Sequence, residues 1–224
     1  DPLWSRGLGD VYKRQIHIYG FDGSSVKYQI TKVSKEFADV YKGDWAHFTL
    51  KEISEQPDSI PQAGNNDQIE QFVDSIKQAK NLYITGSGTS YNAAEIAKYL
   101  MSKFAKIKIN TVIASELPFS PDDIERDSTL IAISQSGESA DVLEAVKIAK
   151  ESNASILSVV NHLNSSLSQE SSLVMGLNCG PEIGVAATKS FTSQLAILYK
   201  ITDKLCNNCL LYTSPSPRDQ RGAR

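Results

Sequence analysis

From residue 67 onward the apolar positions switch repeatedly between two spacings. Ile69, Phe72, Val73 and Ile76 recur at intervals of three and four, the period of a helix turning one face to a core. Leu82-Tyr83-Ile84 then forms a short continuous apolar run that ends at Gly86, as a buried strand does, and Ala93, Ala94, Ile96, Ala97 and Leu100 restore the helical period to about residue 104. Further strands are predicted over Lys106–Ile113, which alternates, and over Thr129–Ile133, Ser155–Val160 and Ser172–Met175. Helices are predicted from Ser139 to about Glu151 and from about Thr188 to Leu205. Strands alternating with helices define an α/β fold: a mostly parallel, doubly wound sheet flanked by helices on both faces. Ligands of such sheets sit beyond the carboxyl ends of the strands.

Upstream the pattern is different. Ile16 to Tyr19 and Val26 to Ile30 alternate around Phe21-Asp22-Gly23-Ser24, which predicts a hairpin with an Asp-Gly turn. A lone hairpin is marginal in water, so it is expected to belong to a preceding domain. Ala46 to Pro57 reads as a short helix ended by Pro57. Residues 1–15 and 208–224 show neither period and are expected to be non-native linker and tail. The expected layout is therefore the tail of an upstream domain and a linker over residues 16–45, and one α/β domain over residues 46–207.

Composition narrows the partners. Hydrophobic residues make up 41% of the 224 and charged residues 22%, with a net charge of −3; both ends are net basic, so the middle is more acidic than the total. That balance argues against nucleic acid. No run approaches the roughly 18 apolar residues of a membrane span, and no basic-then-apolar leader opens the chain, so a cytoplasmic protein without a membrane partner is expected. Three cysteines do not make a disulfide framework. Cys206-Asn-Asn-Cys209 has redox or zinc-half-site spacing but no second pair, and His17 and His162 have no clustered ligand partners, so neither a metal nor a cofactor is expected. His47 reads as structural.

The candidate chemistry lies in three strand-to-helix loops. In Gly86-Ser87-Gly88-Thr89-Ser90-Tyr91-Asn92, glycines and small hydroxyls lead into a helix N-terminus, whose unpaired N–H groups and partial positive charge suit a phosphate. The P-loop lysine is absent, and Tyr91 stands where a dinucleotide fingerprint requires its third glycine, so a nucleotide is disfavoured. Ser134-Gln135-Ser136-Gly137-Glu138-Ser139 repeats the device. Two such loops at one sheet edge can converge on one anion, with the hydroxyls of Thr89, Ser90, Ser134, Ser136 and Ser139 replacing charged side chains. The alternative is that these serines only cap helices. In the third loop, Gly180 to Ser190, Thr188 is the expected N-cap. Glu182 can either close over a ligand or be an ordinary loop carboxylate, and Lys189 reads as a solvated first-turn lysine.

Together, Gly86-Ser-Gly-Thr-Ser-Tyr-Asn, Ser134-Gln-Ser-Gly-Glu-Ser-Ala-Asp, Glu182-Ile-Gly-Val-Ala-Ala-Thr-Lys-Ser-Phe-Thr and His47-Phe-Thr-Leu-Lys-Glu-Ile-Ser-Glu-Gln-Pro resemble the glutamine:fructose-6-phosphate aminotransferases, the glucosamine-6-phosphate synthases, over roughly residues 16 to 207. The resemblance implies a flavodoxin-like sugar-isomerase (SIS) domain, the first of two, preceded by the end of a glutaminase domain. It implies a chain that binds fructose 6-phosphate or glucosamine 6-phosphate and forms a homodimer. Carried over by motif, Ser87, Gly88, Thr89, Ser90, Ser134, Gln135, Ser136 and Ser139 would hold the sugar phosphate, and Val185 and Ala187 would line the sugar. Ser87 stands where the family usually has cysteine, Ser139 where it often has threonine, and Ala187 where it often has serine, which removes one hydroxyl. The family's glutaminase nucleophile, and the lysine, glutamate and histidine of its sugar chemistry, have no counterparts here, so the resemblance implies a binding fragment without turnover. A non-catalytic sugar-phosphate-sensing SIS domain and another sugar-phosphate isomerase are the alternatives; the first would carry a basic helix-turn-helix, the second would lack the His47 to Pro57 motif.

Overall fold

The apolar spacings described above become elements in a computed structural model that describes residues 9–12, 15–27 and 41–207. The chain divides into two compact units, Asp1–Ala38 and Asp39–Arg224. In the first, β1 (Gly9–Tyr12) pairs antiparallel with β2 (Gln15–Ile18), Gly9 opposite Ile18 and Tyr12 opposite Gln15. The first of these strands lies in a stretch whose sequence has no strand period, so pairing rather than side-chain pattern defines it. The expected turn forms: Gly23 takes a positive φ of 78°, and the Asp22 carboxylate accepts from Ser24 N–H at 3.0 Å. Tyr19 bridges Ser25, and residues 28–30 of the expected second arm lie outside the described residues.

In the second unit, five parallel strands form one sheet in the order β4-β3-β5-β6-β7: β3 (Leu82–Gly86), β4 (Asn110–Ile113), β5 (Thr129–Ser134), β6 (Ser155–Val160) and β7 (Leu173–Gly176). Period-two alternation assigns their side chains to two cores. Leu82, Ile84, Ile131, Ile133, Leu157 and Val159 meet Phe72 and Ile76 of α3 (Ile69–Gln78), Ala93 and Ala97 of α4 (Thr89–Leu100), and Ile197 and Ile201 of α7 (Lys189–Leu205). Tyr83, Leu130, Ala132, Ile156 and Val160 meet Val142, Ala145, Val146 and Ala149 of α5 (Ala140–Glu151) and Leu167 of the short α6 (Ser166–Gln169). Because both faces are covered, β3 and β5 are buried at every position, and each buried Ile or Leu contributes about 1.5–3 kcal/mol.

Two elements depart from the expectation. The alternation over Lys106–Ile113 yields a strand only at Asn110–Ile113. Helix α4 runs on into a wider π-helical turn, Met101–Ala105, closed by Lys106 at φ 60°. Ile107 and Ile109 alternate because both pack under the core, not because they pair. Upstream, α1 (Phe48–Ser54) is followed at once by an unexpected α2, Gln56–Gly64. Pro57 occupies its first turn, where its missing N–H is harmless, and so starts this helix as well as ending the previous one. Pro61 inside α2 had masked the helical pattern.

The chain leaves β3 for β4 on one side, then crosses back to β5 on the other. This reversal opens a crevice at the carboxyl ends of β3 and β5, the place where doubly wound sheets bind ligands.

Candidate functional site

Gly86 ends β3 because nothing larger fits: a Cβ there would lie 2.9 Å from the backbone carbon of Ser90. That close approach aims the N-terminus of α4 into the crevice. Gly88, the residue before α4, has φ 57°, and the helix starts with no side-chain cap. The N–H groups of Ser90, Tyr91 and Asn92 turn back to the Ser87 and Gly88 carbonyls, which leaves the Thr89 N–H as the first-turn donor that the helix does not use. Across the crevice, Gly137 turns at φ 70° and sits against Ser165, so a side chain there would collide with the Ser165 hydroxyl. The turn brings Ser139 to the start of α5, again with no side-chain cap.

Between these helix starts lies a cavity of about 180 Å³ lined by Ser87, Thr89, Ser90, Ile133, Ser134, Gln135, Ser136, Ser139 and Val142. The fold thus brings together seven of the ten residues singled out from sequence. Gly88 shapes the loop from behind, at the N-cap of α4. No wall residue is charged. The loop's own carboxylate, Glu138, is drawn away to α6, where it accepts from Ser166 N–H at 2.7 Å and Ser166 Oγ at 2.8 Å. Ser134 Oγ accepts from Gly137 N–H at 3.0 Å and Ser136 Oγ from Glu138 N–H at 3.1 Å. Each hydroxyl spends a lone pair on its loop and keeps its proton to donate. Ser87 Oγ is buried in the wall with no hydrogen-bond partner. Buried hydroxyls are ordinarily paired, and this one is the exception in the cavity wall.

Val185 and Ala187 do not line this cavity; Val185 is fully exposed. Their loop is nonetheless tied to it. Asn161, just past β6, donates from Nδ2 to the Gly180 carbonyl at 2.7 Å, while its own N–H donates to the Gln135 carbonyl at 3.1 Å. Cys179 donates its thiol proton to Asn161 Oδ1 at 3.3 Å. Burial, reinforced by the Glu182 charge and opposed by Lys189, pushes that thiol up to about 11, so it stays a proton donor at neutral pH. Sequence reasoning missed Asn161, although its place one residue beyond a strand's carboxyl end was the available signal. It also missed Gln194, buried on α7, which donates to Ser90 Oγ at 2.9 Å; no local pattern separates it from other helix-face glutamines.

Thr188 stands at the N-cap of α7, as expected, with no cap hydrogen bond from its side chain. Two expectations for the third loop are corrected. Glu182 is more than a solvated loop carboxylate: half-buried, it accepts from Thr188 N–H at 2.9 Å, Thr188 Oγ1 at 3.1 Å, Ser190 N–H at 3.1 Å and the Ser190 hydroxyl, and so caps α7. Lys189, expected in solvent, is buried and reaches Glu55 at 2.5 Å. Burial raises the Glu55 carboxyl, but the hydrogen bonds and charges of Lys189 and Lys51 outweigh it and hold the group below its ordinary 4.5. A larger cavity of about 300 Å³ opens here between α2 and the loop, with Lys51, Glu55 and Lys189 in its wall. Both lysines pair with the one Glu55 carboxylate.

His17, His47 and His162 are exposed. Among the described residues no cluster of His, Cys, Asp and Glu is arranged to hold a metal, and no helix is long and apolar enough to cross a membrane. Cys209, half of the Cys206–Cys209 spacing, lies outside the described residues.

A five-stranded parallel sheet in flavodoxin-like order, with a neutral hydroxyl cavity at its switch point, defines an α/β sugar-isomerase fold. Residues 75–202 match the SIS domain model, and the chain belongs to that family. It is 36% identical over 209 residues to the glutamine–fructose-6-phosphate aminotransferase of Thermotoga maritima, across 88% of this chain and 34% of that protein. The protein of the same name from Pyrococcus horikoshii is 41% identical over 167 residues, across 73% and 28%. Among solved structures, the C-terminal domain of the glucosamine-fructose-6-phosphate aminotransferase from Francisella tularensis is similar at a TM-score of 0.68 and 34% identity, covering 81% of this chain and 52% of that one. The resemblance carried by the loop motifs is therefore borne out. The chain spans about a third of the length of the curated relatives it matches.

Proposed function

We propose that this chain is the fructose 6-phosphate-binding SIS domain of a glutamine:fructose-6-phosphate aminotransferase, the enzyme that makes glucosamine 6-phosphate and glutamate from fructose 6-phosphate and glutamine. The ligand's phosphate enters the 180 Å³ cavity between β3 and β5. There it accepts from the α4 and α5 N-terminal amides and from the hydroxyls of Ser87, Thr89, Ser90, Ser134, Ser136 and Ser139, with Gln135 and the Gly88 turn closing the walls. The observation that carries this reading is the buried, unpartnered Ser87 hydroxyl in an uncharged wall that also carries the hydroxyls of Thr89, Ser90, Ser134, Ser136 and Ser139. Helix termini and hydroxyls suffice for a phosphate, so the absence of charge from the lining fits the role. The sugar extends toward the Gly180 to Thr188 loop, where Val185 and Ala187 contact it. Ala187 contributes only a methyl surface.

The cavity binds and orients; its hydroxyls and amides include no general base of suitable pKa, and the chain alone turns nothing over. In the whole enzyme, ammonia release and sugar rearrangement belong to other domains, within a cytoplasmic homodimer that needs no metal or organic cofactor. Isothermal titration of the purified chain tests the reading: fructose 6-phosphate binds, inorganic phosphate binds more weakly, and fructose gives no heat. Equal binding of fructose, or none of fructose 6-phosphate, overturns it. Glucosamine 6-phosphate formation with glutamine or ammonia should stay at background, and clear turnover would contradict the binding-only role.

A further inference from the structure

Glu52, on α1, is a buried carboxylate 131 residues from its partners. Its Oε1 accepts from the N–H of Ile183 at 2.6 Å and of Gly184 at 2.9 Å, and its Oε2 is buried with no partner. A buried charge that leaves one oxygen unpaired is expensive. What it holds in exchange is the backbone of a loop tip whose apolar side chains, Ile183 and Val185, are both exposed. That tip gains no core from being fixed, so its rigidity is not explained by packing. The adjoining backbone accommodates the carboxylate: a Cβ on Gly184 would lie 2.5 Å from Glu52 Oε2 and 3.0 Å from Thr49 Oγ1. One turn along α1, Glu55 pairs with Lys189 at the other end of the same loop. The stem of the loop is fastened to the phosphate cavity by Asn161.

We propose that Glu52 is a positioning residue for the sugar end of the site: it presents the Ile183 to Ala187 backbone to the ligand, while the phosphate end, built by β3, β5 and two helix N-termini, does not depend on it. This rests on the fructose 6-phosphate reading above. The two ends of one ligand are then held by separate devices, and a change at Glu52 acts on one only.

The test titrates the full 224-residue chain and its Glu52→Gln and Glu52→Ala variants with fructose 6-phosphate and, separately, with inorganic phosphate. Loss of the two charge-assisted bonds should weaken fructose 6-phosphate about tenfold in Glu52→Ala, with a smaller loss in Glu52→Gln, which keeps an acceptor. Phosphate affinity should stay within about twofold of the parent, because its donors sit on other elements. Gly184→Ala, which displaces the same carboxylate from the opposite side, should reproduce the Glu52→Ala split even if the Glu52 variants fold poorly. Equal weakening of both ligands, or unchanged fructose 6-phosphate binding in a folded Gly184→Ala or Glu52 variant, overturns the proposal. A parent chain that binds neither ligand instead removes the function reading on which it rests.

Discussion

The crevice between β3 and β5 and the loop from Leu177 to Thr188 sit at the same edge of one sheet, yet they are built in opposite ways. In the crevice every functional atom belongs to a strand end, a turn glycine or the first turn of the following helix, within a few residues of one another. It contains no charged wall, and its polarity comes from amides and hydroxyl protons left over by the fold. The loop is held instead by three carboxylates, Glu52, Glu55 and Glu182, the first on α1 and the second just past its end, more than 130 residues earlier. The first device needs only local sequence and suits an anion. The second is tertiary and places apolar surface. One edge can thereby hold a phosphate rigidly and fit the rest of the ligand separately.

The comparison breaks most sharply if charge is placed in the crevice. Ser136→Asp keeps an acceptor for Glu138 N–H and should fold, but a carboxylate beside a bound phosphate opposes it by about 4 kcal/mol at an effective dielectric of 20. Fructose 6-phosphate binding should then vanish from calorimetry, and retained affinity would mean that the anion sits elsewhere. Next in size, Gly137→Ala must adopt φ 70° and meet Ser165, which together should remove about 3 kcal/mol of stability in urea unfolding. A shift under about 0.5 kcal/mol would show that the turn is not tightly held.

On the loop side, Glu182→Ala strips α7 of its charged cap and should lower stability by about 2 kcal/mol, with fructose 6-phosphate affinity falling more than phosphate affinity. Equal loss for both ligands would join the two devices into one. Gln194→Leu, which frees Ser90 from its buried partner, should weaken phosphate binding by about 1 kcal/mol. The smallest effect is that of pH. Glu55 titrates below its ordinary 4.5 in the folded chain, so its contribution is present above that value and disappears as the pH falls through the lowered one. Parent and Glu55→Gln should therefore converge in thermal stability from pH 5 to pH 3 by less than about 1 kcal/mol, since the group is partly exposed. A difference that grows on acidification would reverse the assigned sign.

What could be read from sequence follows the same division. Period and turn residues announced β3, β5, β6 and β7 and the helices α3, α4, α5 and α7, though not the short α6, because each of these elements answers to its own side chains. The crevice was legible for the same reason: a strand, a glycine and small hydroxyls before a helical run are adjacent in the chain. Asn161, Gln194, Glu52 and the burial of Lys189 were not, since each role depends on a partner brought near only by the finished fold. The overextended strand at Lys106 and the missed α2 are errors of local rule. Alternation arose there from packing without pairing, and prolines stood inside a helix that tertiary contacts support.

Where the phosphate goes separates the two cavities most directly. Fructose 6-phosphate added to the isotopically labelled chain should move the backbone amide resonances of Gly88, Thr89, Ser136 and Ser139 furthest. Val185 and Ala187 should respond to fructose 6-phosphate but not to inorganic phosphate. If those crevice amides stay in place while resonances around Lys51, Glu55 and Lys189 shift with saturation, the phosphate lies in the larger cavity under α2 and the central claim is wrong.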